Sequence, residues 1–292
     1  MSILRLLFLF ILVFLSSCEK DIDIELDASE SQLVVDATIE NGLTPVVFLS
    51  KSLDYFGKID STKLSASFVR NAKVSISNGT QEITLKEDSL RSPEGARIYF
   101  YSVRDDNRDF IGQLNTKYTL RITAEGKNYQ AETSIPSVTR RIDSLWWEKL
   151  PLADDTNAAR IIIRATDKPG LGDYIRYFTR INQEAFLPGF NSVFDDQVID
   201  GTTYTIPVDR GFNKNAQFAD SLTYFKRGDI VTIRLCNIDK QTYDFWRTFE
   251  FSFQSIGNPF SSPTRILSNV NNGALGYFGG YGCQYRTLVI PK

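Results

Sequence analysis

The sequence predicts an all-β chain. An N-terminal immunoglobulin-like sandwich over residues 31–137 is followed by a second β-rich domain over 138–292, which contains one α-helix near 239–256. Three observations predict this. Short runs of β-branched and aromatic residues recur along the chain, punctuated by Gly, Pro, Asn and Asp. The dipeptides Asn78-Gly79 and Glu125-Gly126 each separate two such runs, as hairpin turns do. After Asp239 the aromatics change from strand spacing to helical spacing.

The elements follow in order. Gln32–Glu40 offers Leu33, Val34, Val35, Ala37 and Ile39 as a first strand, and Val46–Leu49 a second after Pro45. Lys73–Ser77 and Thr80–Leu85 form a hairpin in which Val74 and Ile76 share a face with Ile83 and Leu85. Arg97–Val103 is next. Tyr118–Ala124 and Tyr129–Ile135 pair around Glu125-Gly126, with Leu120 and Ile122 on the buried face. Strands this short and this closely spaced are the pattern of a sandwich, and Pro136 marks its end.

Beyond Pro136 the strand candidates are Ile142–Trp147, Arg160–Ala165, Tyr174–Ile181, Val193–Ile199, Tyr204–Val208, Ser221–Phe225, Ile230–Asn237 and Tyr285–Ile290. Lys168-Pro169-Gly170, Leu187-Pro188-Gly189, Asp200-Gly201 and Arg227-Gly228-Asp229 read as the turns between them. Asp239 is the expected helix N-cap. Tyr243, Trp246, Phe249, Phe253 and Ile256 then fall on one helical face, and Gly257 and Pro259 stop the helix. The glycines at 276, 279, 280 and 282 are expected to mark bulges, bends or close backbone approach within a strand.

Composition narrows function. Of 292 residues, 42% are apolar and 23% charged, which excludes wholesale disorder. Lys and Arg number 33 against 35 Asp and Glu. That balance leaves no electrostatic footprint for nucleic acid. The chain has no His, so Ser-His-Asp and Cys-His catalysis and the usual catalytic zinc sites are excluded. No catalytic residue, cofactor or metal ligand is assigned. Asp195 and Asp196 are adjacent, so on a strand they point to opposite faces and do not make a glycosidase pair. Loops Asp167–Asp173 and Asp195–Asp200 have the residue type for calcium but not the EF-hand pattern. The Gly-rich stretch 273–282 lacks a P-loop ending.

The N-terminus says where the protein is expected to reside. Arg5 precedes an unbroken apolar run, Leu6–Leu15. A membrane-spanning helix needs roughly 20 residues, so this run has the length of a signal-peptide core. The sequence Leu15-Ser16-Ser17-Cys18 resembles the lipobox of bacterial lipoproteins. That resemblance implies that residues 1–17 are removed and that Cys18 carries diacylglycerol and acyl chains such as palmitate. Several acyl chains anchor a protein firmly, whereas one does so only marginally. Residues 18–30, with six acidic side chains and one Lys, read as a solvated tether. They also resemble the surface-export signal of some Gram-negative lipoproteins.

Cys236 and Cys283 remain as an even pair in an oxidising compartment. A disulfide and two buried thiols both stand open. Phe186-Leu-Pro-Gly-Phe190 is an unusual loop, because two exposed Phe are costly unless something covers them. Phe186 and Phe190, with Phe260 from the loop after the helix, are the candidate binding anchors.

Four longer strings carry a resemblance across nearly everything after Cys18. They are Leu187-Pro-Gly-Phe-Asn-Ser-Val-Phe-Asp-Asp196, Tyr224-Phe-Lys-Arg-Gly-Asp229, Asp239-Lys-Gln-Thr-Tyr-Asp-Phe-Trp246, and Asn258-Pro-Phe-Ser-Ser-Pro263 continuing to the glycine-rich stretch. With these the chain resembles the DUF4249 lipoproteins of Gram-negative envelopes. That resemblance implies an outer-membrane location, exposed or periplasmic. It also implies an accessory role beside a TonB-dependent receptor, with the receptor or its ligand as partner. A non-enzymatic binding protein is the expected function. A hydrolase acting on an envelope or extracellular polymer is the alternative.

Overall fold

Strand β1 (Leu33–Glu40) buries Leu33, Val35, Ala37 and Ile39 on one side, the period of two that a sheet face requires. The computed structural model describes residues 31–53, 60–92, 95–151, 155–213, 224–258, 260–262 and 264–292. The expected signal peptide, tether and Cys18 lie outside them. Residues 32–292 make one compact unit.

Within the first half, β2 (Val46–Lys51), β5 (Lys86–Arg91) and β6 (Arg97–Ser102) join β1 in one sheet. A second sheet runs β4-β3-β7-β8, from β3 (Lys73–Ser77), β4 (Glu82–Thr84), β7 (Thr116–Ala124) and β8 (Lys127–Ile135). The two face each other across Val35, Ala37, Val47, Leu49, Val74, Ile76, Leu120 and Ile122. This is the expected sandwich. Glu125 and Gly126 both have positive φ (50° and 76°), so β7 and β8 join through the predicted two-residue turn. The Asn78-Gly79 hairpin differs. Ser77 pairs with Glu82, which leaves a four-residue loop. There the Asn78 side chain accepts from the Thr80 and Gln81 amides at 3.0 and 2.8 Å, and only Gly79 has positive φ.

The second half departs from expectation in its partition. β9 (Arg141–Lys149), β10 (Ala158–Thr166), β13 (Thr203–Val208) and β14 (Phe225–Lys226) form a four-stranded sheet. β11 (Tyr174–Ile181), β12 (Leu187–Phe194), β15 (Ile230–Ile238) and β16 (Leu275–Val289) do not form a domain of their own. They extend the N-terminal sheet into eight strands, in the order β12-β11-β15-β16-β1-β2-β6-β5. β16 pairs parallel with β1, Val34 opposite Leu275 through Glu40 opposite Tyr281. The expected boundary at Pro136 is therefore corrected, because one sheet runs through both halves.

Burial explains the sequence pattern of the joining strands. One face of β11 and β15 (Ile175, Tyr177, Val231, Ile233, Leu235) packs on Ile161, Ile163 and Val208 of the smaller sheet. The other face (Phe178, Cys236, Ile238) packs under a helix with Tyr277 and Tyr281. A strand covered on both faces reads as continuous apolar sequence, as these two do.

That helix is α2 (Lys240–Gln254), reached after the short helix α1 (Ser61–Ser67). Asp239 caps α2 by accepting from the Thr242 amide at 2.8 Å, and Gly257 with φ +83° follows its end. Tyr243, Phe245, Trp246 and Phe249 face the sheet. Ile256 lies past the helix and is exposed, a correction to the predicted face. No helix among the described residues is long and apolar enough to cross a membrane.

Two further readings are corrected. Leu187-Pro188-Gly189 is strand, not turn, because the chain turns before it at Asn182–Glu184, and the predicted strand Val193–Ile199 stops at Phe194, where the turn Asp196–Thr202 takes over. Pro188 is tolerated because β12 is a sheet edge. Gly189 is required because the Tyr177 hydroxyl occupies the place of a side chain. Ser221–Thr223 lie outside the described residues.

Candidate ligand-binding site

Where β11 and β12 splay from β13 and the first turn of α2, they leave a cavity of about 470 Å³. Ile175, Val193 and Phe194 come from the large sheet, Tyr204 and Ile206 from β13, and Val198 and Ile199 from the turn after β12. Val193 and Phe194 are neighbours on β12 and so bound the cavity from opposite faces of that edge strand, whereas Val198 and Ile199 come from the turn that opens at Asp196. A smaller cavity of about 90 Å³ shares Ile175, Phe194, Tyr204 and Ile206 as wall residues.

Polar groups are few. Tyr243 and Arg247, one helical turn apart on α2, reach the cavity from above, and Asp195 from the β12 side. The Tyr243 hydroxyl donates to Asp195 Oδ2 at 3.0 Å. Burial, then the Asp195 hydrogen bond and charge, push the Tyr243 pKa up. Burial likewise raises that of Tyr204. Both therefore stay neutral hydroxyls: Tyr204 can donate to a ligand, and Tyr243, whose proton is on Asp195, can accept from one.

The remaining wall is Arg140, which precedes β9. Its side chain is fully buried, and its Nε donates to Asp167 Oδ1 at 3.0 Å. Nη1 and Nη2 have no hydrogen-bond partner among the described residues. Behind it, carboxylate oxygens of Asp167, Asp173 and Asp196 all lie within 4.8 Å of one another. Asp196 Oδ2 accepts from the Gly172 and Asp173 amides, each at 2.8 Å. Burial chiefly raises the Asp173 pKa. The charges of Asp167 and Asp196 add to this, against the Thr139 hydroxyl and Arg140.

The residues singled out in the sequence are dispersed. Phe186 packs edge-on against Tyr285 at 5.7 Å and lies under the Arg180 guanidinium at 4.5 Å, as part of the core beside α2. Phe190, on β12, is partly exposed and stacks on Phe212 at 6.0 Å. Phe260 is 94% exposed. None of the three lines the cavity. Cys236 and Cys283 face each other in the β15–β16 ladder and form a disulfide. Asp195 and Asp196 do point apart, one to Tyr243 and one to the β10–β11 loop.

Arg140, Tyr204 and Arg247 were not legible. Arg140 stands in a coil between two hydrophobic runs with no pattern around it, and only the fold brings it to the cavity. The family model described as Domain of unknown function (DUF4249) matches residues 19–286, most of the chain. No curated protein matches it.

Proposed function

The chain belongs to the DUF4249 family, and on that footing we propose that it is a lipid-anchored envelope protein that binds a ligand without transforming it. In this proposal Cys18 carries the lipid, the location is the outer membrane, and the protein works beside a TonB-dependent receptor in capture or uptake. One observation carries the binding role: the 470 Å³ cavity, with a mainly apolar wall and a few convergent polar groups. That is the usual composition of a small-molecule site. The ligand class it fits has an apolar body and a polar end that meets the Tyr204 and Tyr243 hydroxyls. The anchor keeps the cavity close to a membrane-embedded partner, which raises their effective concentration.

Native mass spectrometry of the full chain extracted from envelopes tests the binding role. A co-purifying small molecule is expected. It should be lost in Ile206→Trp, which fills the cavity from its partly exposed rim, while the melting temperature holds. Absence of any bound mass, together with a pull-down that returns no outer-membrane receptor, overturns the proposal. Cys18→Ala tests the anchor separately, since it should release the protein from membranes or leave an unprocessed precursor.

A further inference from the structure

Three carboxylates converge behind Arg140, from two chain segments that look unrelated in sequence. Asp167 and Asp173 begin and end the β10–β11 loop, and Asp196 opens the turn after β12. Their oxygens lie within 4.8 Å of one another, with Asp167 and Asp196 buried. Acidic groups often cluster without binding anything. Here a second observation separates this cluster from an ordinary one. Asp167 is 1% exposed, its Oδ1 is held by Arg140, and its Oδ2 is buried with no hydrogen-bond partner among the described residues. A bare, buried carboxylate oxygen is costly unless something charged faces it.

Charge points the same way. Arg140 offsets one of the three carboxylates, leaving two negative charges in a largely buried place. Like charges this close repel strongly when water is excluded. One divalent cation would close the balance.

We infer that Asp167, Asp173 and Asp196 bind a single Ca²⁺, with Asp167 Oδ2 as one ligand. The donors are all oxygen, which selects a hard cation. Zinc is disfavoured, because the chain has no His and both described cysteines are in the disulfide. Burial chooses between calcium and magnesium. Mg²⁺ dehydrates reluctantly and usually keeps several waters beside one or two carboxylates, whereas Ca²⁺ accepts a shell made largely of protein oxygens. Three converging carboxylates, two of them buried, suit Ca²⁺. The bound ion would tie the β10–β11 loop to the turn that walls the cavity. The site does not depend on the binding role proposed above.

Calorimetric titration of the full chain with CaCl₂, and its melting temperature in CaCl₂ and in EDTA, provide the test. Saturable heat is expected. At calcium about 100-fold above its Kd, melting should rise by about 5–10 °C over EDTA, and by much less in MgCl₂. Asp173→Asn should abolish that gain, yet melt in EDTA at or above the unmodified chain, because a repelling charge has gone. Equal melting in calcium and EDTA with no saturable heat overturns the site. So does an Asp173→Asn variant that is destabilised equally in both, since that carboxylate would be purely structural.

Discussion

Gly276 lies opposite Val35 in the parallel ladder between β1 and β16, and a side chain on it would overlap the Val35 carbonyl oxygen. Its φ is +91°, a conformation that L residues avoid. The ladder it permits unites the two halves of the chain. Gly276→Ala should therefore cost about 3–5 kcal/mol, from overpacking and backbone strain together. Gly273 also has positive φ, but nothing lies within 4 Å of its missing side chain. Gly273→Ala should cost only about 1–2 kcal/mol. Urea unfolding measures both, and equal losses would show that close approach at Gly276 does not matter.

Strands with one buried face were legible because alternation is local: Val74, Ile76, Leu120 and Ile122 announce their face within a few residues. Helix α2 was legible for the same reason, with its cap, period and stop all inside the segment. The shared sheet was not. β16 enters beside β1 from the far end of the chain, and no local pattern encodes that pairing. β5 was missed because Lys86–Arg91 is a polar edge strand with no apolar face. β12 was misread because Pro188-Gly189 carries turn chemistry, and only its edge position and the Tyr177 contact explain it. The cavity escaped for a related reason, since Arg140, Tyr204 and Arg247 come from three elements that only the fold assembles.

Trp246 should be the energetic centre of α2. The Arg176 guanidinium lies 3.3 Å from its ring centroid, and its Nε1 donates to the Tyr281 hydroxyl at 3.1 Å. Arg176 also donates to Tyr281 and to Ser192, which in turn donates to the buried Glu250. Removing the ring strips one side of this network. Trp246→Ala should cost about 3 kcal/mol or more, whereas Phe251→Ala, at a residue 56% exposed on the outer face, should change stability by no more than about 0.5 kcal/mol. Chemical denaturation of the two variants reads the difference directly.

The Cys236–Cys283 bridge closes a sequence separation of 47. Constraining the unfolded chain over such a loop stabilises by about 2–4 kcal/mol. Replacing both cysteines with Ala should lower the urea midpoint accordingly, and adding reductant to that variant should change nothing further. An unmodified chain that loses no stability in reductant at a concentration that fully reduces it would contradict this.

Alkaline unfolding should centre on buried tyrosines. Tyr101 is 1% exposed, and its hydroxyl donates to the Val69 carbonyl and accepts from the Ala72 amide, each at 3.0 Å. Burial, partly opposed by the Ala72 amide and reinforced by Glu87, pushes its pKa up to about 12. The unfolded chain releases that proton near pH 10. The stabilisation is thus complete below about pH 10 and is lost as pH rises towards 12, by about 2–3 kcal/mol. Tyr101→Phe should cost about 1–2 kcal/mol at neutral pH and flatten part of the alkaline slope. Denaturant midpoints at several alkaline pH values measure both effects, and an unchanged slope would remove Tyr101 from the account.

Phe190 and Phe260 separate partner binding from self-packing. Phe260 is almost wholly exposed, so its ring contributes little to the fold. Phe190 stacks on Phe212, a contact worth about 0.5–1.5 kcal/mol. Phe260→Ser should leave the melting temperature unchanged, whereas Phe190→Ser should lower it slightly. If the edge strand β12 and the loop after α2 dock on a membrane partner, Phe260→Ser should also lose most of the receptor recovered from detergent-solubilised envelopes, since exposed aromatics that become buried dominate interface energy. Full receptor recovery by Phe260→Ser would take that residue out of the interface. Binding would then rest on the cavity alone, where Ile206→Trp, and not the Phe190 or Phe260 variants, should abolish ligand retention.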